Sequence, residues 1–173
     1  MASSGFGYVW MNQGVEHEAV FLSQLKERLR DMCTQEWADE ISRSSRYDVY
    51  RLFKTDFGFE RYLDDVKIKC FKETLTRFRL GISDIKEHKN RYKQPPVENS
   101  CPFCTHQIED ETHFLFVCSK YDFIRPEMLK NIEPYNMHRQ FTTVMSCKNI
   151  KSTNQLAWFI FKFLEIRATA TQD

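Results

Sequence analysis

The chain has 173 residues, with 25 lysines and arginines against 24 aspartates and glutamates, fifteen phenylalanines, and only five glycines and five prolines. That length supports one domain with a sizeable core, and the composition is globular rather than disordered. Near-balanced charge singles out no partner, and the most apolar run, 156–166, is too short for a bilayer and carries Lys162 and Glu165. Met1-Ala-Ser-Ser-Gly lacks a basic region before an apolar stretch, so no secretory signal is expected. Cysteines without such a signal imply a reducing, intracellular compartment, cytoplasm or nucleus, with no disulfides and no membrane.

In chain order, residues 15–43 predict a long amphipathic helix, with Val20, Phe21, Leu25, Leu29, Met32, Trp37 and Ile41 near helical spacing. The polar break Ser42–Ser45 follows, and Tyr47–Phe53 reads as either a brief strand or a helical turn. Phe59–Leu80 predicts a second helix with a broad apolar face and Gly81 as its C-cap. The chain is polar from Asp84 to Ser100, and Pro95-Pro96 force extended geometry before a cysteine-rich stretch. Further helices are expected over Phe123–Ile132, with Pro126 in its first turn, and over Asn154–Ala168, apolar nearly all round and suited to a core or to self-association. The expectation is a mainly α fold, one domain over 1–173. Its helical N-terminal part is 15–93, an inserted structural zinc module lies at about 99–122, and C-terminal helices occupy 123–169. Trp37, Phe71, Phe78, Leu115, Trp158 and Phe159 are the expected core. Cys33 and Cys70 fall on apolar helix faces and are expected to pack, whereas His17, His88 and His138 read as surface residues.

Cys101-Pro-Phe-Cys104, His113 and Cys118 form the pattern Cys-x2-Cys-x8-His-x4-Cys. Three thiolates and an imidazole are the ligand set of a closed, four-coordinate structural Zn2+ site, with no open position for a catalytic water. His106 is a rival ligand, but one residue between it and Cys104 makes a strained chelate, so His113 is preferred. Asp110 to Thr112 suit the start of a short helix carrying His113. His113 and Cys118 are five residues apart, about 140° out of register on an ideal helix. The chain must therefore leave the helix near Cys118.

Several phrases in order give the chain a family likeness. They are Tyr8-Val-Trp-Met-Asn-Gln-Gly14, Gln35-Glu-Trp37, Leu75-Thr-Arg-Phe-Arg79, Asn90-Arg-Tyr92, the Cys101–Cys104 pair, and Glu109-Asp-Glu-Thr-His-Phe-Leu-Phe-Val-Cys118, followed by Tyr121 and Arg125. Together they resemble the C-terminal region after the polymerase domain of non-LTR retrotransposon reverse transcriptases and their domesticated relatives. The resemblance implies a zinc-binding module, with Cys101, Cys104, His113 and Cys118 as ligands, associated with nucleic-acid handling during target-primed reverse transcription. The gap between Cys104 and His113 is longer than in the retroviral zinc knuckle, so that knuckle's mode of base capture is not implied.

Tyr62-Leu-Asp-Asp65 matches the Tyr-x-Asp-Asp signature of the polymerases themselves. That chemistry needs a strand turn and a third carboxylate to hold two magnesium ions. Here the motif precedes a lysine-rich helical segment, so the chain is expected to be non-catalytic. Glycine-rich phosphate loops and hydrolase elbows are also absent from the sequence.

Between Lys67 and Lys93 nine lysines and arginines face three acidic residues. Such a stripe can neutralise phosphates and release counterions. Arg77, Arg79, Lys89, Arg91 and Lys93 are the candidate phosphate contacts on RNA or DNA, and Tyr92 the candidate platform for an unpaired base. The zinc stretch is itself acidic, so it is expected to brace the basic segment rather than touch nucleic acid. The other reading is a zinc-stapled protein-interaction or assembly module, with the 156–166 helix meeting a partner.

Overall fold

A computed structural model describes residues 5–12, 14–15, 17–94, 98–104, 107–130 and 137–171, without the side chains of Trp10, Met137 and His138. Pro95, Pro96 and His106 lie outside the described residues. The fold is mainly helical; among the described residues the only β pairing is an isolated bridge between Ser100 and Ile108. The chain divides at Ser45 into two compact units, Met1–Ser45 and Arg46–Asp173, where the single-domain expectation drew no boundary.

The first unit holds α1 (Gly7–Asn12) and α2 (Glu18–Arg43). Helix α2 confirms the long helix read from the apolar spacing, and at 26 residues it is about 39 Å long. Phe6 sets its ring edge-on to Phe21 at 5.4 Å. Val20, Leu22 and Leu29 are nonetheless exposed, and Trp37 is only half-buried, so Trp37 does not join the core expected for it. Cys33 is exposed as well.

The second unit begins with tight helical turns, including Tyr50–Leu52, which settles the strand-or-turn ambiguity of Tyr47–Phe53. Then come α3 (Tyr62–Asp65) and α4 (Lys69–Arg79), where the sequence suggested one helix. The break falls at Val66, which turns extended (φ −84°, ψ 103°) and is fully buried. Packing of that valine overrides the continuous helical periodicity. Gly81 closes α4 in the left-handed region at φ 66°. Ile82 N–H donates to Arg77 O at 2.9 Å and Gly81 N–H to Phe78 O at 3.1 Å, the paired bonds of a Schellman cap.

After α5 (Lys86–Asn90), α6 (Arg125–Leu129) and α7 (Met137–Met145), the chain ends in α8 (Ile150–Ala170). Asn149 caps α8 by accepting from Lys151 N and Ser152 N at 2.9 and 3.3 Å, satisfying donors that an uncapped helix end leaves open. The helix therefore starts four residues before the Asn154 expected from the sequence. Helix α4 packs along α8, and α3, α6 and α7 also lie against α8. Leu156, Ala157, Phe159, Ile160 and Phe163 of α8 meet Leu75 and Phe78 of α4 in the core. The ring of Phe114 lies within 5.1–5.6 Å of Phe78, Tyr121 and Phe163, and Tyr121 stacks on Phe163 at 4.4 Å. Of the expected core, Phe78, Leu115 and Phe159 are buried, Phe71 is half-buried, and Trp158 is exposed. Helix α8 thus buries this apolar stripe in the core of its own unit, the first of the two uses expected of it.

Candidate metal centre

A short reversal of the chain positions the first two cysteines. Cys101 N–H donates to Gln107 O and Glu109 N–H to Asn99 O, both at 2.8 Å, so the segments on either side of the Cys101–Cys104 turn run back antiparallel. Asp110 then caps the next turn, its Oδ1 accepting from His113 N at 2.6 Å, as a carboxylate at a helix start is suited to do. Residues His113–Val117 wind as a π turn, closed by Cys118 N–H donating to His113 O at 2.8 Å. The wider turn brings a residue five positions on back over its start, which answers the register problem posed by an α-helix. The chain leaves helical geometry at Cys118 (φ −60°, ψ 120°), as the spacing required.

The result is a cluster of Cys101, Cys104, His113 and Cys118 whose ligand atoms all lie within 4.8 Å of one another and can hold a metal ion. Cys101 Sγ and Cys118 Sγ are 3.7 Å apart, and Cys104 Sγ is 3.3 Å from His113 Nε2. The other ring nitrogen, Nδ1, pairs with Gln107 Oε1 at 2.7 Å. An amide oxygen can only accept, so Nδ1 carries the proton and Nε2 presents its lone pair to the cluster. Cys101, His113 and Cys118 are buried and Cys104 is half-buried. Burial pushes the Cys118 thiol up to about 12, with Cys101 and Cys104 adding to the rise, and burial pushes His113 down against the pull of Asp110 and Glu109. Without a cation the site thus favours a neutral Cys118 thiol and a neutral His113 imidazole.

Buried polar contacts fix this module to the helices. Glu109 takes two hydrogen bonds from Arg167 of α8, at 2.6 and 2.9 Å, and a third from Lys86 N at 2.8 Å. Arg125 reaches back to the carbonyls of Leu115 and Cys118. His88 of α5 pairs through Nε2 with Glu111 at 2.6 Å and through Nδ1 with Ser83 Oγ at 2.7 Å. Burial pushes the Glu111 carboxyl up, but the His88 bond and charge, with Arg91 nearby, outweigh it and hold the carboxyl below its usual range. His88 is therefore buried, not the surface residue its polar surroundings suggested. Ser83, His88 and Glu111 form a buried hydrogen-bonded chain, all three at most 7% exposed. They act as a clamp between α5 and the metal module.

The candidate nucleic-acid residues separate into two groups. Arg77, Lys89 and Lys93 are exposed, and Tyr92 is 64% exposed, close to Lys89 and Lys93 along the chain. Arg79 and Arg91 are not available as the sequence suggested. Arg79 is 1% exposed, with its guanidinium 4.5 Å from the Tyr62 ring centre and 4.8 Å from that of Phe53, and bonded to Glu60 at 3.2 Å. Arg91 turns inward to the Arg46 carbonyl at 3.1 Å and lies 3.9 Å from Glu111. Tyr62 of the polymerase-like motif is buried and bonded to Thr76, and Asp64 and Asp65 sit on the four-residue α3 rather than a strand turn. Cys70 is exposed, correcting its expected core position. Among the described residues no helix is long and apolar enough to cross a membrane. No family model, curated protein or solved structure matches the chain.

Proposed function

We propose that this chain is a non-catalytic nucleic-acid-binding module stabilised by one structural Zn2+, similar to the tail of a non-LTR retroelement reverse transcriptase. Zinc is the metal that suits three sulfurs and one imidazole. With Zn–S of about 2.3 Å and Zn–N of about 2.0–2.1 Å, a tetrahedral ion spaces its ligands about 3.8 Å sulfur to sulfur and about 3.5 Å sulfur to nitrogen. The 3.7 and 3.3 Å separations of the two pairs fall close to these edges. When bound, zinc would hold Cys101, Cys104, His113 and Cys118 as a closed structural centre, and the Nδ1–H of His113 would keep its ring oriented through Gln107.

The observation that carries the nucleic-acid reading is the coupling of that centre to the basic segment. His88, on α5, is clamped to Glu111, two residues before ligand His113, and the exposed Lys89, Tyr92 and Lys93 follow directly. A rigid metal module thus fixes the point from which cations and one open aromatic ring project. Cations there would neutralise phosphates, and Tyr92 would stack on an unpaired base. Three thiolates around one dication leave the centre itself net negative, so it braces rather than binds.

The test is a titration of single-stranded and duplex RNA and DNA against salt, using the exposed pair Arg77→Glu and Lys93→Glu. Each lost phosphate contact is expected to lower the slope of log affinity against log salt by roughly 0.7–0.9, and binding should weaken across sequences alike. Zinc content and helicity should not change. Binding equal to the unmodified protein would make the segment a solvated face. The assembly reading would then lead, with the exposed Val20, Leu22 and Leu29 of α2 as its surface.

A further inference from the structure

A cavity of about 490 Å3 opens between the segment Phe53–Arg61 and the turn Ser146–Lys148 that joins α7 to α8, with Arg79 in its wall. Its volume falls in the usual range for small-ligand sites. None of the metal ligands lines it. Four cations, Lys54, Arg61, Arg79 and Lys148, face two carboxylates, Asp56 and Glu60. Glu60 is already engaged by Arg79, by the Tyr50 hydroxyl at 2.7 Å and by Lys54 at 3.9 Å. Arg61 and Lys148 make no side-chain ion pair among the described residues. The decisive feature is Arg79, which is 1% exposed and whose Nε and Nη1 find no oxygen or nitrogen acceptor, with only the weakly accepting Cys147 thiol beside the guanidinium. Buried guanidinium donors are seldom left open, and an anion's oxygens are their strongest acceptors. Phe59, also in the wall, presents an aromatic face that is 66% exposed.

We propose that this cavity is a nucleotide subsite, holding a phosphate between Arg79 and the rim cations Lys54, Arg61 and Lys148 while the base lies against Phe59. A planar guanidinium at the wall suits paired phosphate oxygens, point-charge lysines add attraction without geometry, and an open phenyl ring stacks on any base. The subsite rests on the nucleic-acid reading above and extends it. It gives a single strand a second anchor, separate from Arg77, Tyr92 and Lys93.

The experiment follows backbone amide resonances of the zinc-loaded full chain during titration with adenosine 5′-monophosphate, with adenosine, and with a single-stranded oligothymidylate. It compares the unmodified protein with an Arg61→Glu, Lys148→Glu variant, whose two exposed sites spare the fold. The expected result is that the monophosphate and the oligonucleotide shift Phe59, Arg61 and Lys148, that adenosine does so at least tenfold more weakly, and that the variant loses at least tenfold in affinity for both phosphates. Shifts from the monophosphate without any oligonucleotide binding would support a site for free nucleotides, and would overturn both the single-strand anchor and the nucleic-acid reading. Oligonucleotide binding that the variant retains in full, with no shift at Phe59, would overturn the subsite and leave the nucleic-acid reading standing on Arg77, Tyr92 and Lys93. Absence of binding by any probe would overturn both.

Discussion

At the scale of single residues, charge placed on an apolar stripe explains much of this molecule. Arg79 follows Leu75 and Phe78 at the spacing of one helix face, so α4 carries it inward with them. A buried guanidinium is tolerable because Glu60 neutralises it and the rings of Tyr62 and Phe53 take its flat faces. Burial and the bond to Glu60 keep the Tyr50 hydroxyl protonated well above its usual range, so it remains a donor in that cage. Gly81 has two reasons to be glycine. Its φ of 66° is left-handed, and a Cβ there would come within 2.6 Å of Arg91 Nη1. Gly81→Ala is expected to destabilise the unit by about 1–2 kcal/mol from the backbone alone, read as a lower midpoint in chemical unfolding. At the metal, Cys118→Ser should abolish stoichiometric zinc in native mass spectrometry, because the remaining three ligands include the half-buried Cys104 and serine is a poor soft donor. Full zinc retention in that variant would count against the four-ligand site.

At the scale of elements, ion pairs fix the metal module to the helices alongside the apolar packing of Phe114, Leu115 and Tyr121 in the core. Glu109 and Arg167 are both nearly inaccessible and meet through two hydrogen bonds. Burial lowers the Arg167 pKa, but the Glu109 bond and charge outweigh it and raise the value further. Removing one partner of such a pair strands the other without solvent. Glu109→Gln is therefore expected to cost about 3–5 kcal/mol, whereas adding Arg167→Met should recover part of that loss, since an apolar replacement of a buried pair is often neutral. Urea unfolding followed by circular dichroism measures both. If the double variant is no more stable than the single one, the pair is not the element that holds α8 to the module.

For the whole molecule, the core belongs to the unit beginning at Arg46, where α4 and α8 share their apolar faces and the rings of Phe114, Tyr121 and Phe163 interlock. A chain from Arg46 to Asp173 is expected to fold, bind one zinc and melt in one cooperative transition. Structural zinc contributes directly to folding free energy, so a chelator should lower that melting temperature and released metal should track the loss of helicity. A melting curve unaffected by chelation would mean that the module does not stabilise the core.

How much of this could be read beforehand depended on whether the signal was local. The helices α2 and α8, the apolar face of α4 though not the break at Val66 before it, the Gly81 cap and the four candidate ligands each follow from spacing within a few turns of chain, because period, capping and chelate geometry are local physics. The His113–Cys118 register even forced a departure from the α-helix, although only the structure showed that it is a π turn. The attachment of the module to the helices is tertiary in origin, since Glu109 finds Arg167 across 58 residues and His88 finds Glu111 across 23. The same holds for the inward turn of Arg91, the burial of Arg79 and the exposure of Cys70. A side chain's charge is written in the sequence, but its partner and its access to water depend on which distant elements pack over it.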